Sequence, residues 1–300
     1  MAGNATPTII GRYKYYTAVL AGFVAYSCGI SNSGIYDKSS ANNSKASIEF
    51  EEQIQDYYAT VLDNKDFVDL ESLLFARINH QQNLGYSGVW AALLELDADP
   101  EQEGNVLLFY TGESVSINLR EDFVRAKTEV GPLPKLIWNR EHLWPLSRGI
   151  SGVEAYAKSD LHHIYAENSY ANSRRANRNF GVGGKPVKNV NSAKITDHTF
   201  EPRDEVKGDV ARAVFYMAVR YGINSVGNLQ ITELAHPDGN MLGRLCDLLN
   251  WHQQDPVSER EILRNQAIFK NWQANRNPFI DFPEWVAELW SNDCINTRSI

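Results

Sequence analysis

"WNREHLWPLSRG", residues 138–149, sets a carboxylate and a histidine side by side, Glu141 and His142, between Arg140 and Arg148 and between two tryptophans, Trp138 and Trp144. Pro145 has no backbone N–H to donate, so a strand that enters this stretch has a reason to stop in it. Further on comes "DLHHIYAENSYANSRRANRNFG", residues 160–181. Its first part, Leu161 to Tyr165, reads as a short strand. From about Glu167 it reads as a helix, with Asn172 in the first two turns and Arg174, Arg175 and Arg178 following. The order is then a strand with Glu141 and His142, a loop, a strand with His162 and His163, and a helix with Asn172. Consecutive residues on a regular strand face opposite sides. Glu141 and His142 can serve one chemical group only if the strand bends or ends there.

The rest of the chain frames this segment. Three hundred residues are enough for a sizeable core, and seven tryptophans with 43% apolar residues exclude a disordered chain. With 29 Lys/Arg against 37 Asp/Glu the net charge is −8, which weighs against a protein coated in nucleic acid, although net charge speaks to solubility more than to what one cleft holds. From Asn139 to Lys188, however, eight Lys/Arg stand against four acids. A basic cleft on an acidic body suits an enzyme that must release a polyanionic product.

Arg12 and Lys14 precede "TAVLAGFVAYSC", a run too short to span a bilayer as a helix. Residues 1–28 therefore read as a secretory signal peptide, with acylation of Cys28 as its lipoprotein form and a buried first helix or strand as the alternative. Residues 29–50, rich in Ser and Asn, read as a flexible linker, and residues 51–295 as the domain. If the signal is removed, Cys246 and Cys294 remain, and either a disulfide or two reduced core thiols is compatible with that. Helical periodicity runs from Phe50 through Ile54, Tyr57, Tyr58 and Val61, again over 66–80 and 89–96, and from Val206 to Tyr221 before Gly222. Ser258 and Glu261 form a capping box. "NVLLFYTG" (105–112) reads as a core strand. These elements predict an α+β fold, a mostly helical single domain around a small strand region.

The chain resembles the bacterial endonuclease I family, within the His-Me finger (ββα-metal) nucleases. The resemblance rests on "NREHLWP" (139–145), "DLHHI" (160–164), "ANSRRAN" (171–177), "FEPRDEVKGDVARAVFYMAVRY" (200–221), "WHQQDP" (251–256) and "NRNPFIDFPEW" (275–285), with "YSGVWAALLELDADPEQEGNVLLFYTG" (86–112) fitting as well. It spans about residues 53 to 290. The chain departs from the family pattern at Tyr165 and Ala166, where Arg-Pro is common, and at Glu113, where an arginine is common.

The resemblance implies an exported, metal-dependent, sequence-nonspecific endonuclease acting on the phosphate backbone of DNA and RNA and leaving 5′-phosphates. His142 would be the general base, Glu141 and Asn172 the ligands of Mg²⁺ (or Mn²⁺ or Ca²⁺), and Arg148 the steadying cation for the leaving group. Arg140, Arg174, Arg175 and Asn177 would contact substrate, with His162 and His163 in support. The chemistry suits these residue types. A neutral histidine can take a proton from water near pH 7, and a hard cation that keeps several waters needs only a carboxylate and an amide oxygen from protein. A monomer, periplasmic or extracellular and without a membrane span, is expected. Two rivals stand beside it: a catalytically silent nucleic-acid-binding module, and a zinc hydrolase built on His142, His162 and His163.

Overall fold

The computed structural model describes residues 38–127, 136–150, 156–190, 192–222, 225, 227–234 and 237–297. The signal segment 1–28 lies outside them. The chain divides into two units, Met1–Asn64 and Lys65–Ile300. In the first, helix α1 spans Lys38–Asn64. It begins well inside the stretch expected to be a linker. Once the apolar stripe through Ile54, Tyr58 and Val61 has formed a helix, each added residue contributes a hydrogen bond at little further cost, so even a Ser/Asn-rich sequence can extend it.

The second unit mixes helices with four small sheets among the described residues, as the α+β reading expects. Helix α2 (Leu70–Ile78) starts at Asp69, whose carboxylate accepts the Ser72 N–H at 2.8 Å. Helix α3 covers Gly85–Leu96. Strands β1 (Asn105–Leu107) and β2 (Ser114–Ser116) pair antiparallel. The core strand expected over 105–112 therefore ends early. Leu108 N–H turns back to the Glu113 carbonyl at 2.9 Å, and Phe109 N–H goes to the Ala166 carbonyl at 3.0 Å. Helix α4 (Glu121–Lys127) follows.

Strands β3 (Trp138–His142) and β4 (Ile164–Asn168) then pair antiparallel, with Glu141 opposite Tyr165 and His142 opposite Ile164, and helix α5 (Ser169–Arg175) leaves β4 directly. This is the strand–strand–helix order expected, with one correction. The second strand starts at Ile164 rather than Leu161, so His162 and His163 lie in the turn before it. Side chains take that turn's backbone groups. Arg264 donates to the Leu161 and Ile164 carbonyls at 2.7 Å each, Gln273 accepts the Leu161 N–H, and Asp160 accepts the His162 N–H at 3.0 Å.

Beneath the pair lies a cluster in which Val89, Leu93, Val106, Leu108, Trp138, Leu161, Ile164 and Ala166 are buried. A fully buried side chain of Val or Leu size contributes roughly 1.5–3 kcal/mol, so the packing of α3 against β3 and β4 outweighs any single ladder hydrogen bond. After short strands β5 (Asn179–Phe180), β6 (Lys185–Pro186), β7 (Lys194–Ile195) and β8 (Thr199–Glu201), helix α6 (Lys207–Arg220) is buried nearly all round. Its expected apolar stripe is thus only one side of a fully enclosed helix. The enclosure is tolerable because Arg212 Nε meets Glu261 at 2.6 Å. Strands β9 (Gln230–Thr232) and β10 (Met241–Arg244) lead to α7 (Leu245–Gln254). Helix α8 (Glu259–Ala267) carries the capping box of Ser258 and Glu261. Helices α9 (Pro278–Asp281) and α10 (Glu284–Thr297) end the described chain, and a disulfide joins Cys246 to Cys294.

Candidate active site

Alternation along β3 sorts its residues onto two faces. Arg140 and His142 share one, Asn139 and Glu141 the other. The strand ends at His142, three residues before Pro145, and Leu143 N–H bonds to the His163 carbonyl at 2.9 Å.

On the first face His142 is buried. Its Nε2 lies 3.2 Å from the Lys158 carbonyl oxygen. A carbonyl can only accept, so Nε2 carries the hydrogen and the lone pair is on Nδ1. Burial, helped by His163, Arg140 and Arg175, pushes its pKa down to about 3, so the ring is neutral at physiological pH. The His163 ring stands edge-on at 5.4 Å and the Tyr86 ring lies at 5.7 Å. Arg140 is drawn over Tyr86, 3.5 Å from its ring centre, and over Trp90 at 4.2 Å, and it donates to the Tyr86 carbonyl at 2.6 Å.

On the second face Glu141 is buried, and its Oε1 accepts from the Tyr110 hydroxyl at 2.7 Å and from Arg175 Nη1 at 3.2 Å. Burial raises its pKa to about 7, against the pull of Arg175 and Tyr110. Arg175 also donates to the main-chain carbonyls of His142 (2.8 Å) and Leu143. It is fully buried, which corrects its assignment as a phosphate contact: a guanidinium with no exposed surface holds the end of β3 in place and balances Glu141.

One turn earlier on α5, Asn172 Nδ2 donates to Asn139 Oδ1 at 2.8 Å and to the Arg140 carbonyl at 3.2 Å. Asn139 gives its own amide hydrogen to Glu121 at 2.7 Å. This relay fixes both amide orientations and leaves Asn172 Oδ1 as the acceptor available to a ligand. Asn172 and Arg175 thus sit on one side of α5 against successive residues of β3. A carboxylate and an amide oxygen are the ligand types that a hard divalent cation keeping most of its waters takes.

Glu167, across the ladder from Asn139, joins the same face. Its Oε2 accepts the Tyr110 N–H, its Oε1 is buried without a partner, and burial raises its pKa to about 8.

His163 and His162 are both buried in the turn before β4, with the His163 ring against that of His142. His163 Nε2–H donates to the Ala157 carbonyl at 2.8 Å, while its Nδ1 accepts from Trp144 N–H at 3.4 Å. His162 Nε2 faces the Asn275 carbonyl oxygen at 3.3 Å. Burial pushes both to about 4, against the charge of Asp160. With both His163 nitrogens engaged, and no grouping of three His, Cys, Asp or Glu side chains among the described residues placed to hold a metal, the three-histidine zinc arrangement has no support.

Arg148 lies on the loop after β3. Its Nε donates to the Asn177 carbonyl and its Nη1 to the Pro237 carbonyl, both at 2.7 Å, and Nη1 also reaches the Met241 carbonyl at 3.1 Å. These bonds make it a clamp on the loop after β3. Gly149 permits the clamp: its φ is +85°, and a Cβ there would meet Leu229 and Asn240 at 2.8 Å. Arg174 and Asn177 are exposed beyond Asn172.

Sequence reasoning missed Tyr86, Tyr110, Asn139, Glu167 and the Lys158 carbonyl. Tyr86, Tyr110 and Asn139 lay within the matching motifs, Asn139 beside Arg140, yet nothing in their spacing marked them.

The profile of the endonuclease I family matches residues 66–284. The chain is 42% identical over 223 residues to an extracellular ribonuclease of Bacillus amyloliquefaciens, covering 74% of this chain and 73% of that one. It is 40% identical over 237 residues to an extracellular ribonuclease of Bacillus subtilis (strain 168), covering 78% of each. A periplasmic deoxyribonuclease of Aeromonas hydrophila is 28% identical over 129 residues, covering 41% of this chain and 48% of that one. A family match that takes in β3, β4 and α5 together with the helices that enclose them makes this chain a member of the endonuclease I family, and an endonuclease.

Proposed function

We propose that the enzyme hydrolyses phosphodiester bonds of RNA and DNA without reading sequence, by a His-Me finger mechanism with His142 as general base. The observation that carries this is the tautomer of His142: its Nε2–H is anchored to the Lys158 carbonyl, which leaves the lone pair on Nδ1. Nδ1 takes a proton from water, and the water oxygen attacks phosphorus in line. The bond from phosphorus to the 3′ oxygen breaks, that oxygen gains a proton from solvent, and the product carries a 5′-phosphate. Glu141 and Asn172 Oδ1 would hold a Mg²⁺-type ion, which when bound supplies neutralising charge at the phosphate and leaving oxygens. Arg174 and Asn177, both exposed on or just after α5, are the side chains that would contact phosphate. RNA is supported by the two ribonuclease relatives and DNA by the deoxyribonuclease relative. Purified enzyme should degrade both in Mg²⁺ and neither in EDTA. Activity that survives EDTA, or that only zinc restores, would overturn the assignment.

Export is part of the same proposal. The relatives are extracellular or periplasmic, the Cys246–Cys294 disulfide suits an oxidising compartment, and no described helix is long and apolar enough to cross a membrane. Mass spectrometry of secreted enzyme should show loss of roughly the first 27–33 residues; an intact Met1 on exported material would contradict it.

A further inference from the structure

Tyr86 has no place in the proton transfer, yet it is built into the site. It stands in the first turn of α3 with 42% of its surface exposed, while Trp138 and Trp144 nearby are fully buried. A single exposed aromatic ring is ordinary; this one is held rigidly beside His142. Arg140 covers part of its ring at 3.5 Å and bonds its carbonyl at 2.6 Å. Asn83 Oδ1 accepts the Gly85 N–H at 2.9 Å and the Ser159 hydroxyl at 3.0 Å. That shared acceptor ties the start of α3 to the residue after Lys158, whose carbonyl anchors His142. The ring and the base are therefore positioned by one short network, 5.7 Å apart.

A fixed, exposed aromatic ring backed by a guanidinium is what a nucleobase stacks on, and stacking needs no particular base because every base has a π face. Little ordering is required on binding, since the ring is already held. A base inside a duplex has both faces covered by its neighbours and cannot use such a platform; an unpaired base can. We propose that Tyr86, backed by Arg140, is a stacking subsite for an unpaired nucleobase flanking the phosphate that His142 serves, and that it makes the enzyme favour single-stranded RNA and DNA over duplex. The subsite rests on the assignment of phosphodiester cleavage to His142.

The test compares wild type with Tyr86→Leu and Tyr86→Phe. Binding in EDTA is read by fluorescence anisotropy on short single-stranded RNA, single-stranded DNA of the same sequence, duplex DNA, and a single strand carrying abasic residues. Tyr86→Leu should bind the base-bearing single strands roughly 5- to 100-fold more weakly, the range for loss of one stacked base. It should match wild type on the duplex and the abasic strand, and Tyr86→Phe should behave as wild type throughout. In Mg²⁺, Tyr86→Leu should raise KM on single strands and leave kcat near wild type. Unchanged affinity for the base-bearing strands would overturn the subsite, as would an equal loss on the abasic strand. A loss confined to RNA and shared by Tyr86→Phe would also overturn it, because a hydroxyl contact to ribose would then replace stacking. Failure of the nuclease assignment is separate: a His142→Ala enzyme cutting at wild-type speed would remove that assignment whatever the binding ratios.

Discussion

At the scale of single residues, His142 and Glu141 occupy opposite faces of β3, and the proposed mechanism asks a different task of each. His142→Ala should lose roughly two to four orders of magnitude in single-turnover rate, the usual contribution of a general base. Its affinity for nucleic acid and its melting temperature should stay near wild type, and a large fall in melting temperature with normal turnover per folded molecule would instead mark a packing histidine. pH separates the two residues further. His142 at about 3 is neutral across the working range, so the acid limb of activity should not sit at the ordinary histidine value. Glu141, raised to about 7 by burial, binds a proton where a divalent ion would bind. Added Mg²⁺ should therefore move the acid limb to lower pH, and a limb that ignores Mg²⁺ would point to a different titrating group. Glu167 makes a claim about stability. Its folded pKa of about 8 lies above the ordinary 4.5, so the folded state holds a proton that the unfolded chain releases. Stability from this group is full below 4.5 and declines as pH rises towards 8. In EDTA, the melting temperature of Glu167→Gln relative to wild type should therefore climb between pH 5 and pH 8; a flat difference would show that Glu167 is ionised in the fold.

At the scale of elements, α5 is short and depends on its cap. Asn168 Oδ1 accepts the Tyr170 N–H at 2.8 Å and the Ala171 N–H at 3.4 Å. Asn168→Ala should destabilise the protein by about 0.5–2 kcal/mol. Since the helix carries Asn172 and Arg175, the same change should weaken Mg²⁺ binding by calorimetry, and Mg²⁺ affinity equal to wild type would show that β3 alone positions the ligands. The second strand teaches the same dependence on surroundings. "DLHHI" has the apolar pattern of a strand, but Asp160, Gln273 and Arg264 claim its backbone groups first, so the ladder begins only at Ile164. Likewise, Leu108 to Gly112 is apolar enough for a strand, yet its hydrogen bonds curl into a turn that delivers Tyr110 to Glu141.

At the scale of the whole molecule, the disulfide ties α7 to the C-terminal helix α10 across 48 residues of chain. Cys246→Ser with Cys294→Ser should lower unfolding free energy by roughly 2–4 kcal/mol in urea titrations, while the rate per folded molecule stays near wild type because neither cysteine touches the site; loss of activity without loss of stability would refute that separation. The sequence by itself determined the neighbours that chemistry needs in a row: Glu141 beside His142, Asn172 on the following helix, and the family to which those motifs belong. Short-range order is written in adjacency, turn residues and periodicity, so it was legible before any contact was known. Only the tertiary structure decided which charges face solvent and which partners meet. Arg175 is buried against Glu141 and Arg148 donates to main-chain carbonyls, although in sequence both look like free cations beside the site. Tyr86 reaches His142 across 56 residues of chain, and Lys158 offers it a carbonyl, not its ammonium. Burial and long-range hydrogen bonds set the protonation of His142 and the orientation of the Asn172 amide, and neither exists until the helices close around β3 and β4.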